Sequence, residues 1–236
     1  MLLFFDFETT GLDSENDRIV EYALILKNGE DELCRSSSIV NSDVPISEEA
    51  SEVNGISQES IDSAVMSQKD MALLFYSLLK MRPVLVAHNL GAFDFQFLYF
   101  TLCREFSEAM AENTLFPCDV LDTLTVSRDR TYYPNKLGEL IERFGLDAVN
   151  SHKALDDVEA LIALYDYLKK ERDDLEKYIN LIGYYPKYGL AGTPLNTRKI
   201  VYLPQPFHQE KVTIGKTLYS SAKVLIQQLR GVKINE

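Results

Sequence analysis

At 236 residues, with 46% hydrophobic and 25% charged positions, the chain has the composition of a globular protein of one domain plus an extension, long enough to bury a sizeable core. It has no apolar run of about 18 residues that would span a membrane. Its start lacks a basic region ahead of a short apolar run, which argues against a secretory leader, and Cys34, Cys103 and Cys118 show neither disulfide nor metal-ligand spacing. The expectation is therefore a cytoplasmic protein with reduced cysteines. The net charge of −12 argues against broad, sequence-blind duplex binding, but the charge is uneven: residues 186–236 carry +6 and the remainder −18.

The first stretch, Leu2 to Phe7, is nearly continuous apolar sequence interrupted by Asp6 and followed by Glu8, and it reads as a buried central strand. Residues two apart in a strand share a face, so Asp6 and Glu8 leave the same side about 7 Å apart along the backbone. Such a pair either faces water or repels until a hard divalent cation bridges it. Thr9-Thr10-Gly11 is a strand exit. Ile19 to Leu26 is a second strand, Asn28-Gly29 a hairpin turn, and Glu30 to Val40 an antiparallel return.

Ser47 caps a short helix that ends at Asn54-Gly55, and Ser57 and Ser67 are further N-caps, Ser67 with Asp70 in capping-box spacing. Met71 to Met81 has helical periodicity. Pro83 to Ala87 is a short central strand, His88 to Ala92 a loop, and Phe93 to Met110 a helix apolar nearly all round at its start. Asp94 sits inside that apolar start, favoured either by the helix dipole or by a bound cation. Asp119 to Val126 reads as a further strand. Arg128, Arg130, Tyr132 and Tyr133 read as a basic, aromatic loop, and Leu137 to Phe144 as a helix closed by Gly145.

Ser151-His152-Lys153 opens the last long helix, whose apolar stripe is Ala154, Val158, Leu161, Tyr165 and Leu168. At about 100° per residue, Asp157 falls about 60° from Ala154, at the border of the buried stripe, whereas Asp156 falls about 160° away. His152 lies in the turn before the helix and can reach the same site. The order of elements predicts α/β architecture with a mixed sheet. It also brings Asp6, Glu8, Asp94 and Asp157 into one region where repulsion calls for metal. Carboxylate oxygens select Mg²⁺ or Mn²⁺, two such ions about 4 Å apart suit phosphodiester hydrolysis, and His152 is the natural acceptor of the attacking water's proton.

These residues resemble the DEDDh group of 3′–5′ exonucleases, the family of the proofreading epsilon subunit of bacterial DNA polymerase III, RNase T and oligoribonuclease. The first motif reads Asp6-Phe7-Glu8-Thr9-Thr10-Gly11-Leu12, the second His88-Asn89-Leu90-Gly91-Ala92-Phe93-Asp94-Phe95-Gln96-Phe97-Leu98, and the third His152-Lys153-Ala154-Leu155-Asp156-Asp157. Val53-Asn54-Gly55-Ile56-Ser57 matches a further segment, with Asn54 where His is frequent. Lys153 stands where the sister group has Tyr.

The resemblance implies an RNase H-like fold with a central five-stranded mixed sheet. It implies two divalent ions, Mg²⁺ or Mn²⁺, on Asp6, Glu8, Asp94 and Asp157, with His152 as general base. It also implies a nucleic-acid substrate with a free 3′ end, trimmed to nucleoside 5′-monophosphates, and a possible polymerase or replication and repair partner. Thr9 and Leu12 match positions beside the 3′-terminal nucleotide; Phe93 and Phe97 either wall that pocket or belong to the core. A non-catalytic end-binding protein on the same fold is the competing reading, and the presence of all four acids and the His weighs against it.

On this reading residues 1–175 form the exonuclease domain and residues 176–236 a basic, Tyr-rich extension of small α+β character. In the extension Ile200 to Leu203 and Lys211 to Ile214 read as strands and Tyr219 to Arg230 as a helix. Its basic and aromatic residues fit either a nucleic-acid contact or docking onto the acidic domain.

Overall fold

Three strands run through the first forty residues, as the apolar runs and the Asn28-Gly29 turn require: β1 (Leu2–Thr9), β2 (Ile19–Asn28) and β3 (Asp31–Ile39). The computed structural model describes residues 1–115 and 117–179, with the strands Lys211–Ile214 and Thr217–Ser220. β4 (Val84–Ala87) and β5 (Val120–Asp122) complete a five-stranded sheet in the order β3-β2-β1-β4-β5. The first three strands pair antiparallel, whereas β1–β4 and β4–β5 are parallel. The sheet is therefore mixed, with β1 at its centre.

The helices α1 (Glu48–Asn54), α2 (Gln58–Asp62) and α3 (Gln68–Leu79) start where Ser47, Ser57 and Ser67 accept the first-turn N–H groups. Ser67 also donates to Asp70 Oδ2 at 2.6 Å, so an Asp serves in the capping arrangement where Glu is usual. α1 ends on Gly55 at φ 71°, a conformation that glycine adopts without strain.

The long expected helix over Phe93 to Met110 is two helices, α4 (Asp94–Glu105) and α5 (Glu108–Leu115). They part at Phe106-Ser107, where Ser107 Oγ accepts the N–H of Met110 and begins a new helix. The expected strand over Asp119 to Val126 is also corrected. β5 stops at Asp122, whose carboxylate accepts the N–H of Leu124 and starts α6 (Thr123–Arg130). Arg128 and Arg130 are accordingly helical, and only Tyr132 and Tyr133 of that group lie in a loop. α7 (Leu137–Phe144) and α8 (Ala154–Glu171) follow.

The two faces of β1 feed two cores. Leu3, Phe5 and Phe7 pack with Phe75 of α3 and with Phe95, Leu98 and Leu102 of α4. Phe75 makes edge contacts with Phe5, Phe7 and Tyr22 at centroid distances of 5.2–5.9 Å. On the other face Phe4, Ala23, Ile25 and Val86 pack with α7 and α8. Along α8 the buried positions include Ala154, Asp157, Val158, Leu161, Leu164 and Leu168, whereas Tyr165 is half-buried, edge-on to Phe4 at 5.2 Å. Full burial of each such aromatic is worth about 2–3 kcal/mol.

Leu175 and Tyr178, in a 3-10 turn over Leu175–Tyr178, belong to this second core. Arg130 ties the turn down, donating to the Leu168 carbonyl at 2.6 Å and to Asp174 Oδ1 at 2.5 Å. The packed unit thus includes Leu175 and Tyr178. Beyond it, β6 (Lys211–Ile214) and β7 (Thr217–Ser220) pair antiparallel. β6 is where a strand is expected, whereas Tyr219 lies in β7 and not in a helix. Ile200 to Leu203, and most of the helix expected to follow Tyr219, lie outside the described residues. Among the described residues no helix is long and apolar enough to cross a membrane.

Candidate active site

β4 pairs with β1 only as far as Phe4↔Val86, so the carboxyl end of β1 projects beyond its parallel neighbour. Crevices at that end of parallel strands are where α/β proteins bind ligands. Asp6 and Glu8 lie there on one face, both half-buried, while Phe5 and Phe7 are buried on the other. α8 covers the acid face, and the 100° spacing holds: Asp157 is buried at 6% exposure. Asp156 is half-buried and accepts from Ser151 Oγ at 2.5 Å.

A cleft of about 640 Å³ is lined by Asp6, Glu8, His152 and Asp157 together with residues of α7. Glu8, His152 and Asp157 each place a ligand atom within 4.8 Å of the other two. Asp94 lies at the first position of α4, 2% exposed. Its Oδ1 has no hydrogen-bond partner, and the backbone of Phe7, between Asp6 and Glu8, holds a hydrogen bond with its carboxyl group. Asp94 does not line the cleft, but its charge repels those of Asp6 and Glu8, so acids of β1, α4 and α8 act on one another here.

The electrostatics follow from that crowding. Burial first, then repulsion by Asp94, Glu8, Asp157 and Glu21, raises the Asp6 carboxyl well above the ordinary range. Burial, with the charges of Asp157, Glu21 and Asp94, pushes Glu8 up to about 8, against a hydrogen bond from Asn54. Asp94 is pushed up to about 8 by burial, with Asp122 adding repulsion. Asp157 is raised by burial, opposed by hydrogen bonds from Asn150 and Ser151 and by the neighbouring His152. Hard oxygen donors that cannot all ionise unaided, one with an orphaned oxygen, fit a divalent cation such as Mg²⁺ or Mn²⁺.

His152 is exposed in the left-handed conformation at φ 57°. Its loop is held by Asp157, which accepts the Ser151 N–H at 3.1 Å. Gly138 of α7 packs so closely on Asn150 that a Cβ there would lie 2.9 Å from Asn150 Oδ1. Glu21 stands opposite Glu8 in the β1–β2 register and accepts the Ala154 N–H at 3.2 Å, anchoring the start of α8 where Lys153 supplies no cap.

A second, mostly apolar cavity of about 590 Å³ adjoins the cleft and is lined by Thr9, Leu12, Val53, Asn54 and Phe93 among others. Leu12 is 84% exposed at its rim. Thr9 is buried, its hydroxyl donating to the Gly11 carbonyl at 2.6 Å. Phe93 lines both spaces. Phe97 lines neither: it is 1% exposed and packs behind Phe93 at 4.9 Å, so its place is in the core, as a support.

Glu21, Asn150 and Asp122 were not singled out in the sequence, although an acid amid the apolar residues of Ile19 to Leu26 was a usable signal for Glu21. Asp122 accepts the Asn89 and Leu124 N–H groups, both at 2.9 Å, and so fixes the turn after β4. His88 beside it is pushed down to about 4 by burial. Its Nε2 lies 2.9 Å from the Asn135 carbonyl and so carries the proton, leaving Nδ1 to accept from Thr123 at 2.9 Å.

The exonuclease family model (RNase_T) matches residues 3–165. The chain belongs to this exonuclease family and, by its three motifs, to the DEDDh group of 3′–5′ exonucleases. Relatives include the DNA polymerase III PolC-type proteins of Thermotoga maritima, 28% identical over 76% of this chain, and of Bacillus subtilis, 30% identical over 74%. The chain spans only 13% and 12% of the length of these two. Escherichia coli exonuclease I, solved in complex with a dT13 oligonucleotide, superposes with a TM-score of 0.67 at 21% identity, covering 75% of this chain and 42% of that one. That likeness bears on the fold, and it matches the RNase H-like architecture expected.

Proposed function

We propose that this domain is a metal-dependent 3′–5′ exonuclease that hydrolyses the last phosphodiester bond of single-stranded or frayed nucleic-acid ends. The observation that carries the reading is the convergence of four carboxylates from β1, α4 and α8, with His152 beside Glu8 and Asp157. Asp6, Glu8, Asp94 and Asp157 would hold two divalent ions, Mg²⁺ or Mn²⁺. When bound, such ions acidify an attacking water and stabilise the leaving oxygen.

The chain's own residues supply the rest. The apolar cavity receives the terminal nucleoside, with Leu12 at its mouth, Thr9 in its wall and Phe93 between it and the cleft. His152 accepts a proton from the water whose oxygen bonds to phosphorus. The bond from phosphorus to the penultimate 3′ oxygen breaks, and a nucleoside 5′-monophosphate leaves. Kinship with PolC-type proteins supports DNA as substrate and a polymerase or replication and repair assembly as partner.

The test is a 5′-labelled oligonucleotide resolved on a sequencing gel, run as single-stranded DNA, as RNA and as a mismatched duplex end. A ladder shortening from the 3′ end is expected with Mg²⁺ or Mn²⁺, and none after Asp6→Ala or with excess chelator. Undiminished trimming in chelator would sink the proposal.

A further inference from the structure

Three cavities lie in a row. The apolar cavity meets the acid cleft at Glu8 and Phe93. On its other side the cleft meets a third cavity of about 440 Å³ at His88, Asn89, Lys136 and Leu137. The third cavity has a different chemistry. No carboxylate is among its lining residues, and Arg128 and Lys136 are. Tyr133 stands in its wall at 77% exposure.

The loop that presents Tyr133 is firmly held. Arg143 donates to the Tyr132 carbonyl at 2.9 Å, to the Pro134 carbonyl at 2.6 Å and to Thr131 Oγ1 at 3.2 Å. Its guanidinium also lies over the Tyr132 ring, 4.4 Å from the centroid. From the other end, His88 clamps the Asn135 carbonyl. Asn135, 6% exposed, lines the cavity with its Oδ1 unpartnered. A large aromatic displayed on a braced loop, with two cations nearby, is a preorganised stacking platform: little freedom is lost when a base settles on it.

We propose that this third cavity is a subsite for the nucleotides upstream of the scissile bond, Lys136 and Arg128 facing the sugar–phosphate backbone and Tyr133 stacking a base. The inference rests on the exonuclease reading and gives the strand its course. With the terminal nucleoside in the apolar cavity and its phosphodiester at the acids, the upstream strand passes over Lys136 towards Tyr133. An acidic protein thereby gains a local cationic seat for a polyanion, and substrate length becomes a determinant of rate.

The experiment compares the full chain with Tyr133→Ala on two substrates, a ten-residue oligothymidylate and the 4-nitrophenyl ester of thymidine 5′-monophosphate, which has no upstream strand. The ratio of kcat/KM for the oligonucleotide to that for the ester is expected to fall about tenfold, through KM. A ratio equal to that of the wild type overturns the proposal. Binding of the labelled ten-mer in chelator, followed by fluorescence anisotropy, is independent of catalysis. Tyr133→Ala should weaken it about tenfold, and Lys136→Gln should lower the slope of log affinity against log salt by about 0.7. Equal affinity and slope overturn the subsite even in a protein that cleaves nothing. Tight, Tyr133-dependent binding without cleavage by the wild type would instead uphold the subsite and defeat the exonuclease reading.

Discussion

Asp94→Asn separates the stability of this site from its chemistry. In the metal-free protein the Asp94 carboxyl is pushed from its ordinary 3.8 up to about 8, chiefly by burial. A carboxyl whose folded value is raised binds its proton more tightly in the folded state, so folding is favoured at low pH. Stability is fully present below pH 3.8, is lost as pH rises towards 8, and is level above that. Each unit of difference is worth about 1.4 kcal/mol, so at pH 7 the buried carboxyl, by then mostly protonated in the folded protein, costs the fold about 4 kcal/mol. Asparagine keeps the shape, removes the charge and can donate to the neighbouring carboxylates. The variant should therefore be more stable than wild type by up to about 4 kcal/mol at pH 7 in chelator, or about 8–16 °C in Tm for a chain of this size. The assay is thermal and urea unfolding between pH 4 and 9, with chelator and with Mn²⁺. The gap should close towards pH 4, and Mn²⁺ should stabilise wild type far more than the variant. If Asp94→Asn in chelator proved no more stable than wild type at pH 8, the argument that burial of ionised carboxyls makes this a metal site would be refuted.

Other residues give equally direct outcomes. His152→Ala should lower kcat by about 10²–10⁴-fold, as loss of a general base does, with Mn²⁺ still raising Tm because the four acids remain; a kcat within threefold of wild type would remove His152 from the mechanism. Gly11→Ala places a methyl 2.5 Å from Asp17 Oδ2, the carboxylate that accepts from Thr10 Oγ1 and from the Asp13 N–H. It should cost about 1–3 kcal/mol in urea unfolding and raise KM, because the loop bearing Leu12 must shift. Arg130→Ala strips the carbonyls of Leu168 and Arg172 and the carboxylate of Asp174 of a donor whose side chain is 3% exposed. A loss of about 3–5 kcal/mol is expected in equilibrium unfolding, and a loss below 1 kcal/mol would show that the turn over Leu175–Tyr178 does not depend on this contact.

The parts of the site that were legible in the sequence are those where a residue contradicts its surroundings. Acids in the apolar run of β1, an acid at the head of a buried helix, and one of two adjacent aspartates at the border of a stripe each stand out against a periodicity. In the structure Asp6, Glu8 and Asp157 line one cleft, and buried Asp94 lies near enough to repel Asp6 and Glu8. The sheet was legible for a similar reason, since Asn28-Gly29 forces the hairpin and the apolar runs at Leu2 to Phe7 and Pro83 to Ala87 read as central strands. What escaped were features set by one side chain or by distant contact. The β-branched residues between Asp119 and Val126 favour a strand, yet one carboxylate at Asp122 caps a helix and ends it. Phe93 and Phe97 share a helical face, and only packing shows that the first lines a cavity while the second lies behind it. Glu21 is the clearest case. Its partner, the Ala154 N–H, is 133 residues away, at a helix start that lacks a side-chain cap. That acceptor anchors the start of α8 and, together with the Ser151–Asp157 hydrogen bond, holds His152 two residues before it and Asp157 three residues after. A group that acts by holding another in place has no anomaly of its own to display, which is why the candidate ligands are readable from one dimension and the frame that orients them is not.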